Sequence, residues 1–361
     1  MNIARSITAF LVVAAAAVAA AGASGSGTAG ITVVAKGLDN PRGLEVAPSG
    51  AIYVAEAGKA GRCVGEGDEE ICVGYTGAVT RIAGRTQRRV VSGLLSVGDP
   101  SGAFAVGADD IALGPAGRLW AIMADAPIPR AEVRALGGRR AVGQLGHLLR
   151  LNGGQKRSVA WVGGYEFAKN PDRRDVNPNP YAVVYDGRRT IVADAGANTV
   201  YAVSPAGRIT LLAVLPQITP GAKGQQSVPT SLAIGPDRAI YVGELGGEGP
   251  GAKKNAARVW RLAPGKKPTV YAKGFNSISG IAFDADGNLY VAQLVNDFAK
   301  AESKGDFRGM LLRVARDGTR TELAKGKLNA LGGVAIGPKG EIYVSVWSLF
   351  AGRGQVVRVV P

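Results

Sequence analysis

One pattern constrains this chain more than any single motif: a set of four short apolar runs, separated by turn residues, that recurs along its length. Residues 228–275 read VPTSLAIGPDRAIYVGEL, a glycine-rich gap, then ARVWRLAPGKKPTVYAKGF, with apolar runs at 232–234, 240–242, 259–262 and 269–272. Gly235-Pro236-Asp237 divides the first two runs and Pro264-Gly265 the last two. Runs this short, rich in Val, Ile and Tyr and split by Gly, Pro and Asp, read as strands joined by tight turns. Four in succession make an up-and-down antiparallel sheet.

Copies of the unit align on Leu44, Ile111, Val183, Leu232, Ile281 and Val334, spaced by 67, 72, 49, 49 and 53 residues. The second halves follow as AVTRIAG, HLLRLNG, TVYAVSPAG, VWRLAPG, LLRVARDG and VVRVVP. Self-similarity at a period of about 50 residues belongs to propellers or solenoids, and four strands per period select the propeller. The sixth unit shows no fourth strand after VVRVVP, whereas ITVVAKGL at 31–38 nearly copies PTVYAKGF of the fourth unit. An N-terminal strand completing the last sheet would remove its exposed edge. The expected fold is all-β: a six-bladed β-propeller of four-stranded antiparallel blades, closed by strand 31–38. The blades fall at about 40–94, 107–165, 179–217, 228–275, 277–326 and 329–361 plus 31–38.

Residues 1–23 carry the pattern of a secretory signal peptide: Arg5, an apolar run from Ile7 to Ala21, and the small-residue site Ala21-Gly22-Ala23. The run is shorter than the roughly 20 residues needed to cross a bilayer, so a secreted, extracytoplasmic monomer without a transmembrane segment is expected. In that compartment Cys63 and Cys72 most simply form one local disulfide. Two thiols and the single histidine of the chain cannot build a zinc site. The net charge is +15, from 43 Lys and Arg against 28 Asp and Glu, but the basic residues come as scattered doublets such as Arg88-Arg89 and Lys253-Lys254. No nucleic-acid module accompanies them, which excludes nucleic acid and leaves loose attraction to an anionic cell envelope. The expected partners are a small molecule, a glycan or a protein.

The repeat also places a candidate site. Long segments at 57–77, 124–146, 245–257 and 295–309 all leave one face of the disc, and loop length gathered on one face marks the functional side of a rigid scaffold. Two residues before each anchor stand Arg42, Asp109, Tyr181, Thr230, Ser279 and Gly332; where the second strand ends stand Glu56, Met123, Asp194, Glu244, Gln293 and Val346. These positions are mostly polar and differ from unit to unit, as an asymmetric binding mouth on a symmetric frame requires. The binding residues expected there are Arg42, Glu56, Asp109, Tyr181, Asp194, Thr230, Glu244, Ser279 and Gln293. Carboxylates at strand ends have a second use, which is to cap backbone amides or pair with arginine. Catalytic residues are not assigned, and no cofactor is expected. In an alternative reading the mouth holds a divalent cation such as Ca²⁺, for which Glu56, Asp109, Asp194 and Glu244 offer hard oxygen ligands. The run Glu66-Gly67-Asp68-Glu69-Glu70 lacks the alternating spacing of a calcium loop and reads as a solvated acidic tip. His147, at the start of a third strand, has no serine or cysteine nucleophile placed beside it by the repeat.

The stretch NPDRRDVNPNPYAVVYDGRRTIVADAGANTVYAV, with VPTSLAIGPDRAIYVGEL and the opening GLDNPRGLEVAPSG, resembles the ScyD/ScyE family of exported propeller proteins. The similarity covers essentially the whole mature chain, and residues 170–181 are its most specific part. It implies the fold and export and carries no catalytic residue over. More distantly the blades are similar to NHL repeats and to gluconolactonase-type propellers, whose divalent cation is held by Glu, Asn and Asp at the mouth of the same fold. Arg42, Asp109, Tyr181 and Thr230 do not reproduce that set. The function expected is a ligand- or protein-binding module, with a metal-dependent hydrolase of the lactonase type as the alternative.

Overall fold

A computed structural model of the protein describes residues 30–67, 70–125, 129–221, 224–246 and 253–360. The leader at 1–23 lies outside the described residues, as do Asp68 and Glu69 of the acidic run and most of the glycine-rich gap at 247–252. The strands fall into six antiparallel sheets. Blade 1 runs Pro41–Val46, Ile52–Glu56, Ile71–Ala83 and Thr86–Gly98, and blade 2 runs Ala108–Leu113, Leu119–Met123, His147–Asn152 and Gln155–Trp161. Blade 3 is Pro180–Tyr185, Thr190–Asp194, Thr199–Val203 and Ile209–Val214; blade 4 is Pro229–Ile234, Ile240–Glu244, Ala257–Leu262 and Thr269–Phe275. Blade 5 is Ile278–Phe283, Leu289–Gln293, Met310–Val314 and Arg320–Leu323. The sixth sheet contains Gly333–Ile336, Ile342–Val346 and Gly354–Val359, and its fourth strand is Ile31–Leu38. That strand pairs antiparallel with Gly354–Val359, from Ile31 opposite Val359 to Leu38 opposite Gly354.

The apolar alternation of each strand has its reason in how the sheets stack. Every blade buries both faces, so the core is divided among the seams between neighbours. Val79, Val91 and Ala55 of blade 1 meet Ile111, Ala121 and Leu149 of blade 2. Trp120, Ile122 and Leu148 of blade 2 meet Val183, Val192 and Tyr201 of blade 3. Three further clusters join blades 3 to 4, 4 to 5 and 5 to 6 in the same way. At the last seam, Ala35, Leu38, Ala335 and Val356 of the sixth sheet pack on Leu44, Ile52 and Val54 of blade 1. Turn chemistry fixes the register within a blade. Between the first two strands of blade 5, Gly287 takes φ +81°, which a β-carbon would strain, while Asp284 accepts from the Asn288 backbone N–H at 2.8 Å.

The long connections hold structure that the strand pattern did not reveal. Helices span Arg130–Val142, Gly163–Lys169 and Phe298–Lys304. The first is interrupted by Gly138 at φ 68°, which hides its period. The third carries ordinary signals, an Asp297 cap accepting from the Lys300 N–H and Gly305 closing it at φ 64°. The segment 57–77 is not all loop either. Arg62–Val64 pairs with the start of the extended third strand, setting Cys63 directly opposite Cys72, and the two are joined as a disulfide. No helix among the described residues is long and apolar enough to cross a membrane.

Candidate functional site

Six first strands surround a central channel enclosing about 320 Å³. Nearest the face bearing the long connections, Asp109, Tyr181, Thr230, Ser279 and Gly332 border it; at its other end stand Val46, Leu113, Tyr185, Ile234, Phe283 and Ile336. The channel therefore passes from a polar ring to an apolar one.

The polar ring is held by links between blades. Thr230 donates its hydroxyl to the Ile278 carbonyl at 2.6 Å, and Ser345 donates to the Arg42 carbonyl at 2.6 Å. The Arg42 guanidinium donates to the Ala105 carbonyl at 2.9 Å and lies 3.8 Å from Asp109. Tyr181 faces Arg42 and both Asp109 and Asp110, and burial raises its phenol above the ordinary range. Both oxygens of Asp109 and the Nε of Arg42 are buried without a hydrogen-bond partner among the described residues. Burial pushes Asp109 up to about 7 against the opposing pull of Arg42.

Two acids of this channel were not legible as site residues. Asp110 spans three blades: its Oδ1 presses on Gly43, where a β-carbon would come within 1.8 Å, and its Oδ2 accepts from the Val183 N–H at 2.9 Å. Burial raises Asp110 to about 7. Glu45 lines the channel beside it and is raised to about 8, first by burial and then by the charge of Asp110. The signal available was a lone glutamate inside the apolar strand sequence GLEVAP.

A pH dependence follows. An acid whose folded pKa lies above its unfolded value binds more protons folded than unfolded, so stability falls as pH rises between the two. For Glu45 that window runs from 4.5 to about 8, and even half of the shift is worth roughly 2 kcal/mol. The wild-type melting temperature is expected to fall between pH 5 and pH 9, and Glu45→Gln to flatten that fall by raising the value at pH 9. Thermal melts across the range decide it; an unchanged slope in the variant removes Glu45 as the cause.

The four residues expected at the ends of second strands stand elsewhere than the channel lining. Glu56 is fully buried and accepts from the Asp39 N–H at 2.8 Å, the Thr80 hydroxyl at 2.6 Å and Arg89 at 2.7 and 3.1 Å. Glu244 accepts from Ser227 at 2.6 Å, Trp260 at 2.9 Å and Arg258 at 2.5 and 3.1 Å. Asp194 accepts from the N–H groups of Asn179 at 2.7 Å and Ala197 at 3.1 Å, and Gln293 from the Asn276 N–H at 2.5 Å. In blades 1, 3 and 5 this acceptor caps a backbone N–H just before the innermost strand. The physical reason is position within the sheet. A second strand has neighbours on both edges, so its side chains enter the seams, and only the first strand borders the axis. Met123 and Val346 occupy the same place in blades 2 and 6 as buried apolar groups.

A divalent cation at the mouth does not fit this arrangement. Glu56 and Glu244 already meet Arg89 and Arg258, and among the described residues Glu56, Asp109, Asp194 and Glu244 supply no three carboxylates within 4.8 Å of one another. Cys63, Glu70 and Cys72 do come that close, but the two sulfurs there are bonded to each other. His147 has an unexpected neighbour: its Nδ1 lies 2.7 Å from the Ser158 hydroxyl, and its ring stacks on Trp161. Burial and the charge of Arg130 lower it to about 4, so it is a poor proton acceptor near neutral pH.

No family model and no curated protein matches the chain. Solved structures do match its fold. A protein of unknown function from Bacteroides thetaiotaomicron VPI-5482 superposes with a TM-score of 0.56 at 11% identity, over 92% of this chain and 75% of that one. A gluconolactonase from Xanthomonas campestris gives 0.52 at 10% identity, over 91% and 89%. The PQQ-bound aldose sugar dehydrogenase of Streptomyces coelicolor gives 0.51 at 16% identity, over 91% and 98%. What this chain shares with such neighbours is the β-propeller fold, and at identities this low the likeness is one of fold alone.

Proposed function

We propose that the protein is an extracytoplasmic binding module that takes a small hydroxyl-rich ligand, such as a sugar, at the polar ring of its central channel. One observation carries this reading: Asp109 lines the channel beside Tyr181, Thr230 and Ser279 with both carboxylate oxygens buried and unpartnered, and Arg42 stands 3.8 Å from it outside the lining. Unused acceptor capacity on Asp109 in a cavity of about 320 Å³ suits a ligand that can donate to it. Export is supported by the leader pattern, by the disulfide and by the resemblance to ScyD/ScyE proteins. The charge of +15 adds salt-sensitive attraction to an anionic envelope.

Calorimetry with a panel of mono- and disaccharides tests the reading. A hydrogen bond to a charged group is worth about 1.5–3 kcal/mol, so Asp109→Asn should weaken a binder roughly tenfold to a hundredfold, and Tyr181→Phe by less. Binding that survives both changes, or a panel without any binder, overturns the assignment.

A further inference from the structure

The repeat supplies its own control for a second site, away from the axis. In blades 1 and 4 the buried carboxylate at the end of the second strand is neutralised by an arginine, Arg89 on Glu56 and Arg258 on Glu244. Blade 3 has the same carboxylate, Asp194, and neither it nor its neighbour Glu166 forms an ion pair with lysine or arginine among the described residues. Glu166 projects from the helix Gly163–Lys169 that follows blade 2, and its charge and that of Asp194 repel across the seam between blades 2 and 3. Both are fully buried.

Oxygen atoms without partners gather around them. Both carboxylate oxygens of Glu166, Oδ2 of Asp194, the side-chain oxygens of Asn177 and Asn179 and the hydroxyls of Thr199 and Tyr201 are buried and lack a hydrogen-bond partner among the described residues. Local geometry brings their owners together. Thr199 sits directly opposite Asp194 in the sheet, and Tyr201, two residues on, faces the same way. The Asn179 N–H is bound to Asp194, and the Asn177 carbonyl lies over Gly196, where a β-carbon would come within 1.8 Å. Asp172 adds a third negative charge near Glu166, although its own oxygens are taken by the Arg174 N–H and by Asn198. Arg130 is bound to Asp125.

A single unmade hydrogen bond in a buried site costs about 1–3 kcal/mol, and uncompensated buried charge costs more. The hydroxyls and amides of this cluster can donate as well as accept, but its two buried carboxylates have no basic partner among the described residues, and a cation supplies the missing positive charge while the neutral oxygens serve as further ligands. Carboxylate, amide and hydroxyl oxygens in this number are the ligand chemistry of calcium, which takes six to eight oxygens and tolerates irregular geometry. We propose that the top of the seam between blades 2 and 3 binds a calcium-class divalent cation, with Glu166 and Asp194 as anionic ligands and Asn177, Asn179 and Thr199 as neutral ones. The cation occupies the place that Arg89 and Arg258 take in blades 1 and 4. It also gives a use to residues 170–181, the most distinctive stretch of the sequence. The site is structural, tying the helix after blade 2 to blade 3, and is independent of the ligand proposed for the channel.

Terbium luminescence on the intact protein reads the site directly, because Tyr201 is among its walls and Tyr165 packs 5.0 Å from Tyr201. Chelator-treated wild type should show tyrosine-sensitised terbium emission that calcium displaces, and calcium should raise its melting temperature by several degrees. Glu166→Gln should keep the fold while losing terbium and calcium affinity roughly tenfold or more; Arg261→Ala, at an exposed ion pair of blade 4, should lose none. Should Glu166→Gln fail to fold, the wild-type terbium and calcium responses still decide. The proposal is overturned if folded wild type gives neither sensitised emission nor a calcium-dependent melting shift.

Discussion

Removing residues 1–38 is expected to abolish the stable monomer. The deletion takes away strand Ile31–Leu38 and leaves Gly354–Val359 as an unpaired edge. It also withdraws Ala35 and Leu38 from the seam between the sixth sheet and blade 1. Burying a leucine is worth about 1.5–3 kcal/mol, and each ladder hydrogen bond adds about 1 kcal/mol, so the total loss is about 5 kcal/mol or more. That is comparable to the whole stability of many domains. The bare edge adds a second penalty, because an unpaired strand templates association between chains. Size-exclusion chromatography and thermal melts should show aggregation and a melting temperature lowered by more than about 10 °C. Appending residues 31–38 through a flexible linker after residue 360 should restore both, since the strand would regain its partner from the other end. A truncated protein that stays monomeric with an unchanged melt would show that this pairing contributes nothing.

Arg258→Ala is the second large effect. Arg258 is mostly covered, lies over the Trp260 ring at 4.5 Å and holds both oxygens of the fully buried Glu244. Deleting one member of a buried pair strands the other charge and costs about 3–5 kcal/mol, or about 6–10 °C in melting temperature for a chain of this size. The double change Arg258→Ala with Glu244→Gln should recover part of the loss, because the stranded charge is then gone. Arg261→Ala serves as the comparison. Its pair with Asp237 is more than one-third exposed on both sides, and exposed pairs are worth about 1 kcal/mol or less. Equal losses from Arg258→Ala and Arg261→Ala would refute burial as the source of the difference.

Much of the fold was legible because the signal was repeated. Anchors from Leu44 to Val334 each carried the same apolar pattern, so chance agreement at one unit was outvoted by five others. The disulfide was legible because only two cysteines exist and both fall in one segment. The helix Arg130–Val142 was hidden by its internal Gly-Gly, and Phe298–Lys304 by its brevity. Of the residues expected at the mouth, Asp109, Tyr181, Thr230 and Ser279 lie on first strands and border the axis. Glu56, Asp194, Glu244 and Gln293 share a repeat position but lie one strand further out, away from the channel lining.

The sequence by itself determined the number of blades, the strands in each and the alternation that buries them, since these follow from local periodicity and turn chemistry. Which way a buried carboxylate is satisfied was decided only by tertiary structure. Arg89 lies 33 residues from Glu56, while Glu166 lies 28 residues from Asp194. At such separations the chain offers no local cue to tell a neutralising arginine from a second acid. Electrostatics acts through space, and only the stacking of one blade against the next sets which charges share a seam.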